Sequence, residues 1–582
     1  MTSELARIEA TDDDQPSYAH TTLPCLAALL PVLIVATRYA REAPWLEDIL
    51  VTGLVLVGAT AIVCGLLHVL IRNANVRPLV GLALVTYLTL SFYLKLAIPR
   101  SLQDYYLLIF GAAFILAIVG VFRIRECSSI RTATRFLMWV CLTIGAVQLS
   151  LAATMVLPDL WSSYRTSPAH LILTPTSLPA KEIYPSWQAD SLPDIYYVVL
   201  DAYTRGDVLR DTYSFDNRPF LTNLSDRGFV VASHSRSNYH LTDLSLASSL
   251  NLGYLNSESL QGFRTRLPLR SLINDCMLVR VLRQHGYTTT AFATGKSVTE
   301  GKSFDQYVSP TLALSDYQDV FFHTTAVPDI LDMIGSRSAF FESCHRRRIL
   351  NTFREIPAID QNVSSPRFVF AHVMAPHPPF VFDSRGEDVQ VHGSYLLDDS
   401  VAFRQRCGND RYIEAYREQL AYVNRLVLEL VDRILAQTRR PAVIVIHGDH
   451  GARAGVNVAS MDHSDLREAF AIFHAIHVPS GMQFPVHEDV TPVNTFRLVL
   501  NACLGTDFGL LRDRSYFEYP MYSYQLHDVT ERSSARSEVT AIPSSSNQDN
   551  GRVFSDFSRR VARTGPPTKP FDHNGGAACC EP

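Results

Sequence analysis

Apolar residues along this chain change their pattern once, near residue 194. Ahead of that point they come in long runs, near Thr22–Ala36, Ile49–Ile71, Leu79–Ile98, Tyr105–Phe122 and Phe136–Leu157. Each run is close to the roughly 20 residues a helix needs to cross a bilayer. Beyond it the runs are short and β-rich: Ile195–Leu200, Phe229–Ala232, Thr288–Phe292, Phe368–Val373, Val443–Ile446 and Ala471–Ile476. The last five mostly follow amphipathic stretches, and this alternation predicts a largely parallel sheet covered on both faces. The longest helix predicted is Asp410–Gln437, where Tyr416, Leu420, Val423, Leu426, Leu430 and Ile434 recur at three- and four-residue steps as a core-facing stripe.

These patterns divide the chain into a tail at 1–21, a membrane domain of about five helices at 22–158, a Pro/Ser-rich linker at 159–193, an α/β domain at 194–528 and a disordered tail at 529–582. The first apolar run is the shortest, follows an acidic stretch and carries Pro24 and Pro31. It can equally be read as a signal-like anchor, although no small-residue cleavage pattern follows it. Arg72 and Arg77 in one loop, and Arg123, Arg125, Arg131 and Arg135 in another, place those loops on the cytoplasmic side. Five spans then put the amino end inside and everything after Leu157 outside, which predicts an integral protein of the bacterial plasma membrane with an extracytoplasmic α/β domain. The spans hold few charges apart from Lys95, which argues against transport. With 52 basic and 57 acidic residues, a net charge of −5 and no basic block, the chain is not built for nucleic acid. A Cys344–Cys407 disulfide is one pairing the sequence allows, and Cys579-Cys580 is incidental to a Gly/Ala-rich end.

Candidate chemistry lies at strand ends. Pro441-Ala-Val-Ile-Val-Ile-His-Gly-Asp-His-Gly451 reads as a buried strand that delivers Asp449 and His450 side by side at its carboxyl end, where open α/β sheets bind ligands. Asp194-Ile-Tyr-Tyr-Val-Val-Leu-Asp201 is a second such strand. Between them Thr242 precedes a Leu-rich helix; its bland reading is an N-cap, and its chemical reading is a hydroxyl that attacks phosphorus or sulfur beside a metal. His377, framed by prolines, is read as a contact to an anionic substrate group, and His372 as a core residue. Arg205 either grips an oxyanion or pairs with Asp207. Thr204 is a rival nucleophile, and His447, His463, His474 and His477 are candidates for a second ion.

In order and spacing these residues resemble the alkaline phosphatase and sulfatase superfamily, especially its membrane-anchored branch with lipoteichoic acid synthases and lipid A phosphoethanolamine transferases. The resemblance runs from about Pro193 to about Asp528 and rests on Asp201, Thr242 and Asp449-His450-Gly451. Asp216-Asn217 with Phe220, Gly228-Phe229, Ser248-Ser-Leu-Asn251 and Pro492-Val-Asn-Thr-Phe-Arg497 add to it. It implies an alkaline-phosphatase-like fold, one divalent ion (Mn, Mg or Zn) held by Asp201, Thr242, Asp449 and His450, Thr242 as nucleophile, and Arg205 and His377 on the substrate. Sulfatases instead use a Cys or Ser in a C/S-x-P-x-R context that becomes a formylglycine; Thr242 is followed by Asp-Leu-Ser and cannot be so converted. The expectation is a metal-dependent phospho- or sulfo-ester hydrolase or transferase acting on a membrane lipid or envelope glycan. Two alternatives stay open, a sulfuric ester hydrolase on soluble glycans and a non-catalytic protein of envelope assembly.

Overall fold

The structure, a computed structural model, describes residues 19–534 except 97, 100–101, 103–104, 124–126, 174–191, 312, 336, 360–364, 390–399, 438 and 520–523. Most of the Pro/Ser-rich linker and the tail from 535 onward lie outside the described residues. The chain forms two compact units, the first comprising Met1–Tyr39, Trp45–Thr154 and Val320–Leu331, the second Ala40–Pro44, Met155–Asp319 and Asp332–Pro582.

The first unit is helical, and three of its helices are long and apolar enough to cross a membrane: Thr22–Glu42, Leu46–Leu70 and Thr132–Arg165. The expected third span, Leu79–Ile98, is not one helix. It breaks into Arg77–Thr89 and Ser91–Leu96, because Leu90 leaves helical geometry at φ −111° and ψ 18°. The expected fourth span is the apolar helix Tyr106–Arg123, of which Tyr106–Leu116 is a described apolar stretch. Among the described residues, then, three helices meet the length and apolarity of a span, with two shorter apolar stretches beside them, and five full spans are not confirmed. Leu54, Ile62, Val69 and Leu116 stand exposed on these helices, apolar surface of the kind that hydrocarbon covers at no cost. Lys95, the charge noted in the sequence, is held in this unit by Asp329 at 3.2 Å, and Tyr106 Oη donates to the same carboxylate at 2.8 Å.

The second unit is built on a seven-stranded sheet. Its strands are β1 Asp194–Leu200, β2 Phe229–Val231, β3 Thr288–Phe292, β4 Gln306–Val308, β5 Arg367–Val373, β6 Ala442–Gly448 and β7 His474–His477, in the order β2-β7-β6-β1-β5-β3-β4. β6, β1, β5, β3 and β4 are parallel; β7 runs antiparallel to both β6 and β2. β1, β5 and β6 are buried along their whole length, which is why their sequences read as continuous apolar runs and not as alternating ones. Side chains still alternate between the faces. Tyr197 and Val199 pack with Leu246 and Phe496 on one side, and Tyr196, Val198 and Leu200 with Tyr416, Val423 and Leu430 on the other. The helix Asn409–Gln437 covers that second face with the apolar stripe read from its sequence.

Smaller differences have local causes. β4 was not foreseen, because its outer residues are exposed and an edge strand this short carries no apolar period. The last long helix continues through Pro158 to Arg165, into the segment expected to be linker. The ordered domain also passes residue 529, where Val529 is buried and Thr530–Ser534 forms a helical turn. Neither Cys344 nor Cys407 is in a disulfide, so the pairing allowed by the sequence does not form.

Register fixes the chemistry at one edge of this sheet. Leu200, the last residue of β1, lies beside Val373 of β5 and Gly448 of β6, so the next residues, Asp201 and Asp449, emerge together at the carboxyl ends. Gly448 and Gly451 make the close approach feasible, since a Cβ on the first would strike the Tyr203 carbonyl oxygen and on the second the Glu468 carbonyl oxygen. Gly448→Ala is therefore expected to destabilise the protein by about 1–3 kcal/mol or more, because its obstacle is backbone and cannot rotate away. A thermal midpoint equal to wild type for the purified variant would show that this strand crossing is not tight.

Candidate metal centre

Asp201, Asp449 and His450 are all at most 1% exposed and bring ligand atoms within 4.8 Å of one another. The orientation of each is set by its own backbone. Asp449 Oδ1 accepts the N–H groups of Ala202 at 3.0 Å and His450 at 2.9 Å, which leaves Oδ2 free to face inward. Ala202 reaches this position with φ 60°, a left-handed conformation that costs a non-glycine roughly 1–3 kcal/mol and that marks functional turns. The neutral His450 ring has one N–H, and Nδ1 uses it on the Gly451 carbonyl at 2.8 Å. Nε2 therefore presents its lone pair, 3.4 Å from Asp201 Oδ1 and 3.6 Å from Asp449 Oδ2.

Both of those carboxylate oxygens are buried without a hydrogen-bond partner. Three lone-pair atoms thus converge with no proton among them, an arrangement that is repulsive alone and attractive around a cation. Burial would push the Asp201 carboxyl up, but the imidazoles of His377, His372 and His450 outweigh it and hold this group well below the usual carboxylate range. Burial lowers the His450 imidazole despite the two carboxylates, keeping the ring neutral as ligation requires. The donor set of carboxylate oxygen and imidazole nitrogen fits Mn, Mg or Zn.

Thr242 completes the group, with Oγ1 3.3 Å from His450 Nε2. It is the first residue of the helix Thr242–Leu250; the cap position belongs to Leu241, and no side chain caps this helix. The N-cap reading of Thr242 is thereby replaced by a hydroxyl turned toward the metal ligands. The helix is pinned at this end. Ser245 Oγ donates to the Asp449 carbonyl at 2.7 Å, and Asp243 pairs with Arg266 Nε at 3.1 Å. Arg266 forks onto Glu518 at 2.9 and 2.7 Å, and its backbone N–H donates to the Arg41 carbonyl at 2.7 Å.

The other candidates sort by their partners. His377 is buried beside the cluster, its backbone N–H donating to the Asp201 carbonyl at 3.0 Å and its ring 6.1 Å from that of His450. His372, read as a core residue, lies 3.3 Å from Asp201 Oδ2 and so supports a ligand. Arg205 forks onto Asp207 at 2.7 and 2.8 Å and donates to the Ser235 carbonyl, the pairing that was one of its two readings. Thr204 donates to the Ala471 carbonyl at 2.9 Å and is a structural hydroxyl. His447 bonds Tyr197, His474 bonds Ser235 and Thr495, His477 bonds the Ala442 carbonyl and His463 bonds Ser460. Among the described residues only one ligand cluster forms, so these four histidines do not build a second. Two groups at the site were not singled out in the sequence. His240 stacks on Phe517 at 3.9 Å, and Arg453 places a guanidinium nitrogen 3.0 Å from His450 Nε2. Arg453 was findable as the basic residue one short turn past the Asp-His-Gly motif.

Fold and site define an α/β domain that carries a buried Asp/Asp/His cluster and a hydroxyl at the carboxyl ends of a parallel sheet. Residues 193–481 match the family model Sulfatase, so this part of the chain is similar to a sulfatase domain. No curated protein matches the chain. Similar solved structures include the C-terminal periplasmic domain of EcEptC from Escherichia coli in complex with Zn, at 12% identity over 58% of this chain and 92% of that one, with a TM-score of 0.39. Lipooligosaccharide phosphoethanolamine transferase A (EptA) from Neisseria meningitidis, an integral membrane protein, matches at 12% identity over 83% of this chain and 95% of that one, TM-score 0.37. The lipoteichoic acid synthase LtaP from Listeria monocytogenes matches at 13% identity over 56% and 77%, TM-score 0.32.

If the cluster holds an ion, removing one charge from it should empty it. Asp449→Asn is expected to weaken divalent-metal binding at least about 10-fold, since even outer partners of metal ligands are worth about 10–100-fold. Elemental analysis and competition titration of the detergent-solubilised chain read this out; wild-type metal content in the variant would place the ion elsewhere.

Proposed function

We propose that this protein is a membrane-anchored, metal-dependent ester hydrolase or transferase that works through Thr242, on a phosphodiester of a membrane lipid head group or envelope glycan. The observation that carries the reading is the position of Thr242 Oγ1, 3.3 Å from the nitrogen around which the two unpartnered carboxylate oxygens gather. Asp201, Asp449, His450 and Thr242 would hold one divalent ion, which supplies charge neutralisation at the reacting group and acidifies the hydroxyl. Thr242 Oγ1 forms the bond to phosphorus while the ester oxygen departs in line, leaving a phosphothreonine. Water or an acceptor hydroxyl then attacks that phosphorus and returns Oγ1, so that hydrolysis and head-group transfer use the same residues. His377 stands on the Asp201 loop where it can donate to a departing or non-bridging oxygen.

Three helices able to cross a membrane favour a substrate in or near the bilayer, because tethering raises the effective concentration of the site there. The arginine-bearing loops favour an extracytoplasmic domain on an inner or plasma membrane. The match to a family described as Sulfatase favours a second reading, sulfate ester hydrolysis. Thr242 weighs against it, since a threonine cannot become an aldehyde hydrate. Release of phosphate against sulfate from paired model esters separates the two.

Thr242→Ala should reduce turnover by roughly 10³-fold or more, as loss of a catalytic nucleophile does, while Asp201, Asp449 and His450 keep metal content near wild type. Mass spectrometry should find a phosphoryl adduct on Thr242 in wild-type protein incubated with total membrane lipid, and none in the variant. Turnover that survives the substitution would move the nucleophile elsewhere.

A further inference from the structure

We propose that Arg453 is the anion-binding residue of this site, its guanidinium holding the non-bridging oxygens of the group that reacts at Thr242. The inference deepens the reading of the preceding section and rests on it for the identity of the anion as a phosphoryl group. Its physical basis is independent. Arg453 is 7% exposed, and among the described residues no carboxylate pairs with it. Two other buried arginines are neutralised by carboxylates, Arg266 by Asp243 and Glu518, and Arg367 by Asp194. Arg453 has instead the His240 carbonyl at 3.4 Å and the lone pair of His450 Nε2 at 3.0 Å.

Neither acceptor is adequate for a buried cation. The carbonyl contact is long, and the imidazole lone pair is the one a metal ligand must give up. When His450 serves as a ligand, the guanidinium faces the cluster with its best acceptor withdrawn and a second positive charge beside it. An anion that touches both removes that repulsion. Thr242 Oγ1 lies 3.3 Å from the same Nε2 atom, so a tetrahedral group approaching Thr242 arrives within reach of the Arg453 fork. Planar guanidinium donors match two oxygens of such a group. Arg205, the arginine first considered for this task, is already forked onto Asp207.

The test uses the full-length, detergent-solubilised, metal-loaded protein, with inorganic phosphate as probe and affinity measured by titration calorimetry. Arg453→Gln is expected to weaken phosphate binding about 10- to 100-fold, the range of a lost charge-assisted pair, with metal content unchanged. Arg453→Lys, which keeps the charge and loses the fork, should fall between the variant and wild type. The nucleophile reading is tested separately, by turnover; turnover that survives in Thr242→Ala leaves the phosphate result for the Arg453 variants standing by itself. A folded, metal-loaded Arg453→Gln that binds phosphate like wild type overturns the proposal. Loss of metal from both Arg453 variants also overturns it, by assigning the guanidinium to the support of His450.

Discussion

Two carboxylate oxygens and one imidazole lone pair, buried together without a proton to share, are the constraint around which the rest of the second unit is arranged. Leaving a buried acceptor unsatisfied costs about 1–3 kcal/mol, more where it is charged, and here Asp201 Oδ1 and Asp449 Oδ2 carry that cost side by side. The surroundings accentuate it. The backbone bonds go to the other atoms of these residues: two N–H groups donate to Asp449 Oδ1, and His450 Nδ1 donates to the Gly451 carbonyl. A chain that spends its backbone donors in this way keeps two carboxylate oxygens unpartnered beside an imidazole nitrogen, a set of atoms that a cation would satisfy together.

What holds those atoms in place is the sheet. β1 and β6 are adjacent and parallel, so one register brings residue 201 and residue 449 to the same end. The glycines at 448 and 451 then allow the chain to turn across the backbone of Tyr203 and Glu468 at a distance that any Cβ would forbid. The left-handed Ala202 closes the turn and points its N–H at Asp449. Strain at that residue and crowding at the glycines are tolerated because strands buried on both faces cannot shift to relieve them.

The sequence displayed what depends on local period and local chemistry. Apolar β-branched runs ended in acidic residues at Asp201 and Asp449, and both the parallel sheet and the pairing of those ends were legible from that. The stripe of Asp410–Gln437 was equally plain. Other features depend on where distant chain segments meet, and these were hidden. Whether Leu79–Ile98 is one span turned on a break at Leu90 that composition does not reveal. Asp207 stands two residues from Arg205 and offered that pairing locally, whereas nothing local shows that Arg453 meets His450. The edge strand Gln306–Val308 exists because β3 offers it a partner, not because its residues prefer a strand.

Thr242 shows how a local rule was set aside for the site. A threonine at the start of a helix ordinarily caps it, a contact worth about 1 kcal/mol, and its hydroxyl would then be spent on the backbone. Here the chain enters one residue earlier, Leu241 takes the cap position without a side chain to fill it, and the hydroxyl of Thr242 is released toward His450. The helix is secured by other means, through Ser245 on the Asp449 carbonyl and Asp243 on a doubly anchored Arg266. Of its first-turn amides, Leu244 N–H donates to Asp243 Oδ1 at 3.0 Å, and a helix N-terminus favours negative charge there. One shift of register at the helix start therefore frees the Thr242 hydroxyl and turns it toward the Asp/Asp/His cluster.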